Sequence, residues 1–471
     1  MTTERTHPVA PGSGVETRIA SWRGFVGRRA AISAADVDEL EAHLRDQMAD
    51  LQGVGLSDDE AFMVAVGRLG EVDGLSREYA REHSDRLWKQ LVVGAADSGS
   101  AGRRGLRVAL GLGVAAAVAV QVPQLFGIGL EDNGGIYVKN LPLLVLPFLA
   151  GFFVWRAGVA PGLRVRLLAL VGVAVAVSAL VLNLYPFGAG SASEVFPLEP
   201  ATEVLAALHL PVALWLILGV AHAGGDWRSD RARMDYVRFT GEWFIYYVLI
   251  GLGGGVLLGL TAGVFSTIGV DTETAIVSWV LPCGAAGAVL VAAWLVGAKQ
   301  GVIENMAPVL TRVFTPLFAV MLLAFGAAAL WQGDFRTVDR ELLIVFDLVL
   351  IVVLALVLYS VSARDPLAPP GGFERLQVVL LGSAIIVDLY VLVAMLTRIG
   401  AFGFSPNKVA SLGLNMLLLV NLVGSVVMLV GFLRGRRPYA HLERWQTGYL
   451  PAYLAWAVIV GVAFGPVFGW V

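Results

Sequence analysis

Two kinds of apolar patterning divide the chain. Over residues 15–92 apolar positions recur every three to four residues among many charges, the signature of short amphipathic helices. Ile19, Trp22 and Val26 mark a first helix. Ser33 with Asp36 reads as a capping box ahead of the stripe Val37, Leu40, Leu44, Met48 and Leu51, which stops near Gly53 and Gly55. Ser57 with Glu60 repeats the device before Phe62, Ala65, Val66 and Leu69, and Gly70 ends that helix. Leu75, Tyr79, Leu87, Trp88 and Leu91 predict a fourth.

From Leu106 onward the pattern changes to long apolar runs of about 20 residues, enough for a helix to cross the hydrocarbon core of a bilayer. About 11 such runs are predicted, near 106–126, 138–155, 165–185, 202–221, 242–265, 274–297, 308–331, 341–361, 376–396, 408–432 and 449–470. Lipid leaves no partner for an unpaired backbone group, so these runs must be helices. The expected fold is therefore all-α: a small cytoplasmic helical domain followed by a polytopic transmembrane bundle. Its parts are a disordered tail over 1–14, the helical prefix over 15–92, a flexible Gly-, Ala- and Ser-rich linker over 93–104, and a multi-pass domain over 105–471.

Composition sharpens this division. The 471 residues are 57% hydrophobic and 15% charged. A soluble domain carries about 25% charged residues. The charge is concentrated in residues 1–92, with 11 Lys+Arg and 16 Asp+Glu. The whole chain is at −3, so there is no basic surface for nucleic acid, and direct nucleic-acid binding is not expected. No apolar segment near the N-terminus reads as a cleavable signal, which leaves the prefix in the cytoplasm.

Basic residues then orient the spans. With the prefix inside, the inner flanks carry 18 basic residues, among them Arg103, Arg104, Arg107, Arg228, Arg231, Arg364, Arg436 and Arg437. The outer flanks carry five: Lys139, Arg336, Arg340, Arg398 and Lys408. That asymmetry places the N-terminus in the cytoplasm and, with an odd number of spans, the C-terminus outside the cell membrane.

Candidate chemistry is sparse. Asp347 and Asp388 fall within successive apolar runs, roughly 10 Å below Arg340 and roughly 15 Å below Arg398 at the helical rise. Ionisable groups at such depth are costly and face a bundle interior or a cavity. If their helices are neighbours, the two carboxyls could bind a cation or relay a proton. Alternatively they are structural anchors, bonded to Tyr390, Asn415 or Asn421 or paired with outer arginines. Gly251, Gly255, Gly259 and Gly263 form a stripe along one span and predict close helix packing, within the chain or, as alternatives, at a dimer face or sliding surface.

Asn183, His209, Asn415 and Asn421 read as interhelical hydrogen-bonding residues, and His222 as interfacial. Neither of these histidines has a second ligand at metal spacing, so no metal is expected. Cys283, the single cysteine, is expected to act as a small hydrophobe. Metalloprotease, nucleophile-elbow, phosphate-loop and paired-cysteine motifs are missing; no enzyme activity and no cofactor are expected.

Two resemblances add expectations. Glu39-Leu40-Glu41-Ala42-His43-Leu44-Arg45-Asp46, Gly55-Leu56-Ser57, Glu60-Ala61-Phe62 and Arg68-Leu69-Gly70 resemble the bacterial permease prefix domain, a HAAS-type helical signalling domain, over about residues 15–90. That family precedes permease-like membrane domains and often occurs beside PadR-type transcription regulators. The likeness implies that the prefix docks a soluble partner; it assigns no active site, and His43 and His83 carry no separate role. Near the C-terminus, Arg398, Phe402-Gly403-Phe404-Ser405-Pro406-Asn407-Lys408, Arg437-Pro438-Tyr439 and Tyr449-Leu450-Pro451-Ala452-Tyr453 resemble a family of bacterial polytopic membrane proteins of unknown function, departing from it at Phe402, Ser405 and Lys408.

The functional expectation is a regulatory or signalling membrane protein whose prefix binds a cytoplasmic partner. The alternative is a secondary transporter or ion-coupled permease working through Asp347 and Asp388. Besides such a protein partner the bilayer is the expected surrounding.

Overall fold

The structure is a computed structural model and describes residues 13–26, 34–53, 55–72, 98–128, 134–188, 200–267, 270–298, 306–332, 340–364 and 368–471. Among them every regular element is helical and none is a strand. The chain divides into two compact units, Met1–Gly102 and Arg103–Val471.

The first unit contains α1 (Ser13–Val26), α2 (Ala34–Gly53) and α3 (Asp58–Val72). Their apolar stripes meet as the spacing predicts, burying Ile19, Trp22, Leu44, Met48, Leu51, Phe62, Ala65 and Val66 in one small core. The Ser57–Glu60 cap is present: Glu60 Oε2 accepts from the Ser57 amide at 3.0 Å and from its hydroxyl at 2.6 Å. Around this core lie ion pairs that join the helices, Arg45 with Glu16 at 2.7 Å and Arg18 with Asp59 at 2.9 Å. All four side chains are more than a third exposed, so these pairs fix register more than they add stability. The Ser33 cap, the expected fourth helix over 75–91 and His83 lie outside the described residues.

Among its described residues the second unit contains eleven helices long and apolar enough to cross a membrane. They lie within α4 (Ser98–Leu125), α5 (Gly134–Ala157), α6 (Pro161–Leu184), α7 (Ala201–His222), α8 (Asp230–Thr267), α9 (Glu273–Ala298), α10 (Met306–Gln332), α11 (Arg340–Ala363), α12 (Gly372–Phe402), α13 (Pro406–Leu433) and α14 (Ala440–Phe468). The number agrees with the apolar runs. Boundaries differ in places: residues 98–104, expected as linker, are the first turns of α4, and α8 begins at Asp230, ahead of the run expected from 242. The following apolar span supplies the nucleus, so each added turn costs only the propagation step, even with the poor helix formers Gly99 and Gly102.

Two apolar cores organise the bundle. One joins α4 to α9 around Leu149, Phe153, Leu182, Leu218 and Leu290. The other joins α10 to α14 around Leu322, Leu350, Ala384, Val391, Leu418 and Leu422, and Met234 of α8 enters it. Two π-helical turns interrupt the spans, Ile276–Val280 in α9 and Ile459–Ala463 in α14. Neighbouring side chains bond the carbonyls these turns expose: Gln121 and Gln124 both donate to Ser278 O, at 3.1 and 2.9 Å, and the Tyr185 hydroxyl donates to Val462 O at 3.3 Å. Wider turns misalign the helical ladder, and side-chain donors compensate.

The glycine stripe departs from the expectation of packing within the chain. A Cβ at Gly251, Gly255, Gly259 or Gly263 would meet nothing within 4 Å, and all four residues are exposed. α8 is held at its first half, where Tyr236 and Phe239 are buried and Trp243 donates to Val289 O at 3.0 Å. Its second half shares a groove with the start of α9, lined by Leu258, Ala262, Ile276 and Val277, while Leu252, Val256 and Leu260 on its other side are each about two-thirds exposed. In lipid an apolar face gains nothing from being covered by protein, so small residues permit close approach without enforcing it.

Candidate functional site

The second core contains the only intramembrane carboxyls that the sequence singles out, and the helices that carry them pack against each other. Asp347 lies on α11 beside the buried Phe346 and Leu350; Asp388 lies on α12 between the buried Val387 and Val391. α13 lies against both helices and supplies the site's remaining polar groups. Ser411 and Asn415 are one turn apart, so their side chains emerge on the same face and converge on one partner. The Asn415 amide nitrogen donates to Asp347 Oδ1 at 2.8 Å, and the Ser411 hydroxyl donates to Asp347 Oδ2. The same Asn415 nitrogen also donates to Ser411 O at 3.0 Å, which fixes the carboxamide plane.

Asp388 is treated differently. It is 0% exposed, and among the described residues neither of its carboxyl oxygens receives a hydrogen bond. Asn415 is also 0% exposed, and its Oδ1 has no donor. The Asp347 carboxyl is an electrostatic neighbour of Asp388. Membrane-domain ion pairs among the described residues include Lys139 with Glu203 at 2.8 Å and Arg364 with Glu374 at 2.6 Å; Asp347 and Asp388 take part in neither. The site is thus acceptor-rich, with two carboxyls and three oxygens lacking donors. Buried acceptors without donors cost free energy until a proton or cation meets them.

The alternatives raised by the sequence divide between the two residues. Asp347 does bond Asn415, as an anchor would. Among the described residues Asp388 bonds neither Tyr390 nor Asn421, and no arginine donates to it. Ser411 was not legible as a site residue; its signal is its position four residues before Asn415 on the face that buries Leu418 and Leu422.

Other flagged polar residues are accounted for locally. His209 Nδ1 bonds Leu205 O of its own helix at 2.9 Å. His222 is surrounded by rings, with Phe153, Tyr236 and Phe239 centroids at 5.1, 5.2 and 4.8 Å. Asn183 and Asn140 exchange amide bonds at 2.8 and 2.9 Å between α5 and α6. Cys283 receives the Gln121 amide at 3.3 Å. Among the described residues no group of three or more His, Cys, Asp or Glu is placed to hold a metal.

At the other end of α11 and α12, Arg364 donates to Glu374 at 2.6 Å and to the carbonyls of Ala368 and Pro369 at 2.8 and 3.0 Å. Its guanidinium lies over the Phe432 and Tyr439 rings at 4.8 and 4.3 Å. This pair ties together the helices that carry the two aspartates.

No protein-family model matches the chain, and no curated protein or solved structure matches it either.

Proposed function

We propose that the membrane domain is a proton- or cation-coupled permease in which Asp347 and Asp388 load the coupling ion. One observation carries the reading: Asp388 is fully buried beside a second carboxyl, with no donor on either oxygen. Structural anchoring does not account for it, because an anchor needs partners. In this reading the N-terminus and prefix are cytoplasmic, the C-terminus is extracytoplasmic, and the pair lies in the outer half of the bundle. The test is flux in proteoliposomes across a broad solute panel. The wild type should couple uptake of at least one solute to a proton or sodium gradient, and Asp347→Asn or Asp388→Asn should abolish that coupling while the protein stays folded. Wild-type vesicles that pass nothing would count against it.

A second reading rests on a different observation, that residues 1–102 form a unit of their own. As a permease-prefix-like domain it would dock a cytoplasmic partner such as a PadR-type regulator and make the protein a signalling component. Met63 and Val64 are exposed apolar positions on α3. Met63→Glu should then abolish capture of that partner without affecting membrane insertion. The two readings are compatible, since a prefix can gate a permease.

A further inference from the structure

Resting on the permease reading, the geometry points to one proton, not a metal cation, as the occupant of the carboxyl pair, with Asp388 as its carrier and Asp347 as a fixed carboxylate. The argument begins with how donors are distributed. Asp347 holds two, the Ser411 hydroxyl and the Asn415 amide, one on each oxygen. Hydrogen bonds donated to a carboxylate favour its charged form, and Asp347 is the member that receives them. Asp388 holds none and is 0% exposed among Ala384, Val387 and Val391. A carboxylate there would be desolvated with no donor to offset the cost.

Ligand count separates a proton from a metal cation. A hard cation in an oxygen site takes about six ligands in a preformed cage. The donor-free oxygens here are three, Asp388 Oδ1, Asp388 Oδ2 and Asn415 Oδ1, and both Asp347 oxygens already accept hydrogen bonds. A proton needs no such ligand set, because one Asp388 oxygen holds it covalently and it removes the charge that the apolar surroundings oppose. Asn415 holds Asp347 through its nitrogen.

The experiment is infrared difference spectroscopy of the full chain in lipid nanodiscs at neutral pH, in water and in deuterium oxide. Wild type should show a protonated-carboxyl carbonyl band that shifts in deuterium oxide and with 13C-labelled aspartate. The labelled wild type identifies the band as aspartyl without any substitution. Asp388→Asn should remove the band, Asp347→Asn should retain it, and saturating sodium or potassium chloride should leave it unchanged. Absence of an aspartyl band, its loss in Asp347→Asn with retention in Asp388→Asn, or its loss on adding sodium would each overturn the assignment. The band is read without any flux. Its presence with wild-type vesicles that transport nothing would keep the proton assignment and overturn the permease reading, while sodium-driven flux with a sodium-sensitive band would do the reverse.

Discussion

α13 carries two buried polar clusters less than two turns apart, and they are built on opposite principles. At Asn421 every polar group finds a partner. Asn421 donates to Gln446 at 3.1 Å, Gln446 donates to Ser425 at 2.7 Å, Ser425 donates to Asn421 O at 2.6 Å, and the Trp445 indole donates to the same carbonyl at 3.1 Å. Gly424 permits this, since a Cβ there would collide with the Trp445 ring. At Asn415, by contrast, three oxygens are left without donors. A closed network specifies how α13 and α14 pack, because an apolar misalignment would strand its members. An open, acceptor-rich one stores free energy that only a proton or cation releases. Both clusters read the same in sequence, as polar residues in apolar runs; partner accounting separates them.

Four substitutions would break or sharpen that contrast. The largest effect belongs to the buried pair that clamps α11 to α12. Arg364→Ala leaves Glu374 nearly buried and without its cation, and should lower stability by about 3–5 kcal/mol, read as an early thermal transition in detergent. Next comes the closed network. Gln446→Leu should cost about 1–3 kcal/mol by stranding the Asn421 amide, and adding Asn421→Leu should restore part of that loss, which a double-mutant cycle measures as a favourable coupling. The open cluster should respond with the opposite sign: Asp388→Leu removes an unsatisfied carboxyl and should leave stability unchanged or raise it by about 1 kcal/mol in the same thermal assay.

The smallest effect lies in the prefix. The Ser57 hydroxyl and, after it, the Ser57 amide hold the Glu60 carboxyl below its ordinary value. A carboxyl lowered on folding contributes its stability above the unfolded value, and that contribution disappears as pH falls through the lower folded value. Hydrogen exchange at the start of α3 should therefore accelerate in acid in the wild type, and Ser57→Ala should reduce that pH dependence.

How much of this was legible in sequence depended on the range of the interaction. The Ser57–Glu60 cap and the eleven spans depend on neighbours a few residues apart or on the length of an apolar run, so periodicity and capping chemistry are enough. Asp347 and Asp388 stood out because charge in a span is rare, and the helices that carry them pack against each other. Ser411 did not stand out, because serine is unremarkable in a span until Asp347, 64 residues away, is laid against it. The asymmetry between the carboxyls was equally hidden, since it depends on which face of α12 meets α13. The glycine stripe shows the converse error: Gly251, Gly255, Gly259 and Gly263 are fit for close packing, yet no helix of the described chain meets them. A motif states what is permitted, and tertiary structure decides whether it is used.

Charge displacement after a proton-concentration jump, recorded on proteoliposomes adsorbed to a solid-supported membrane, tests the central claim most directly because it requires no knowledge of the solute. The account predicts a transient current in the wild type and in Gln446→Leu, and none in Asp388→Asn. An equal current in Asp388→Asn, or no current in the wild type, would contradict it.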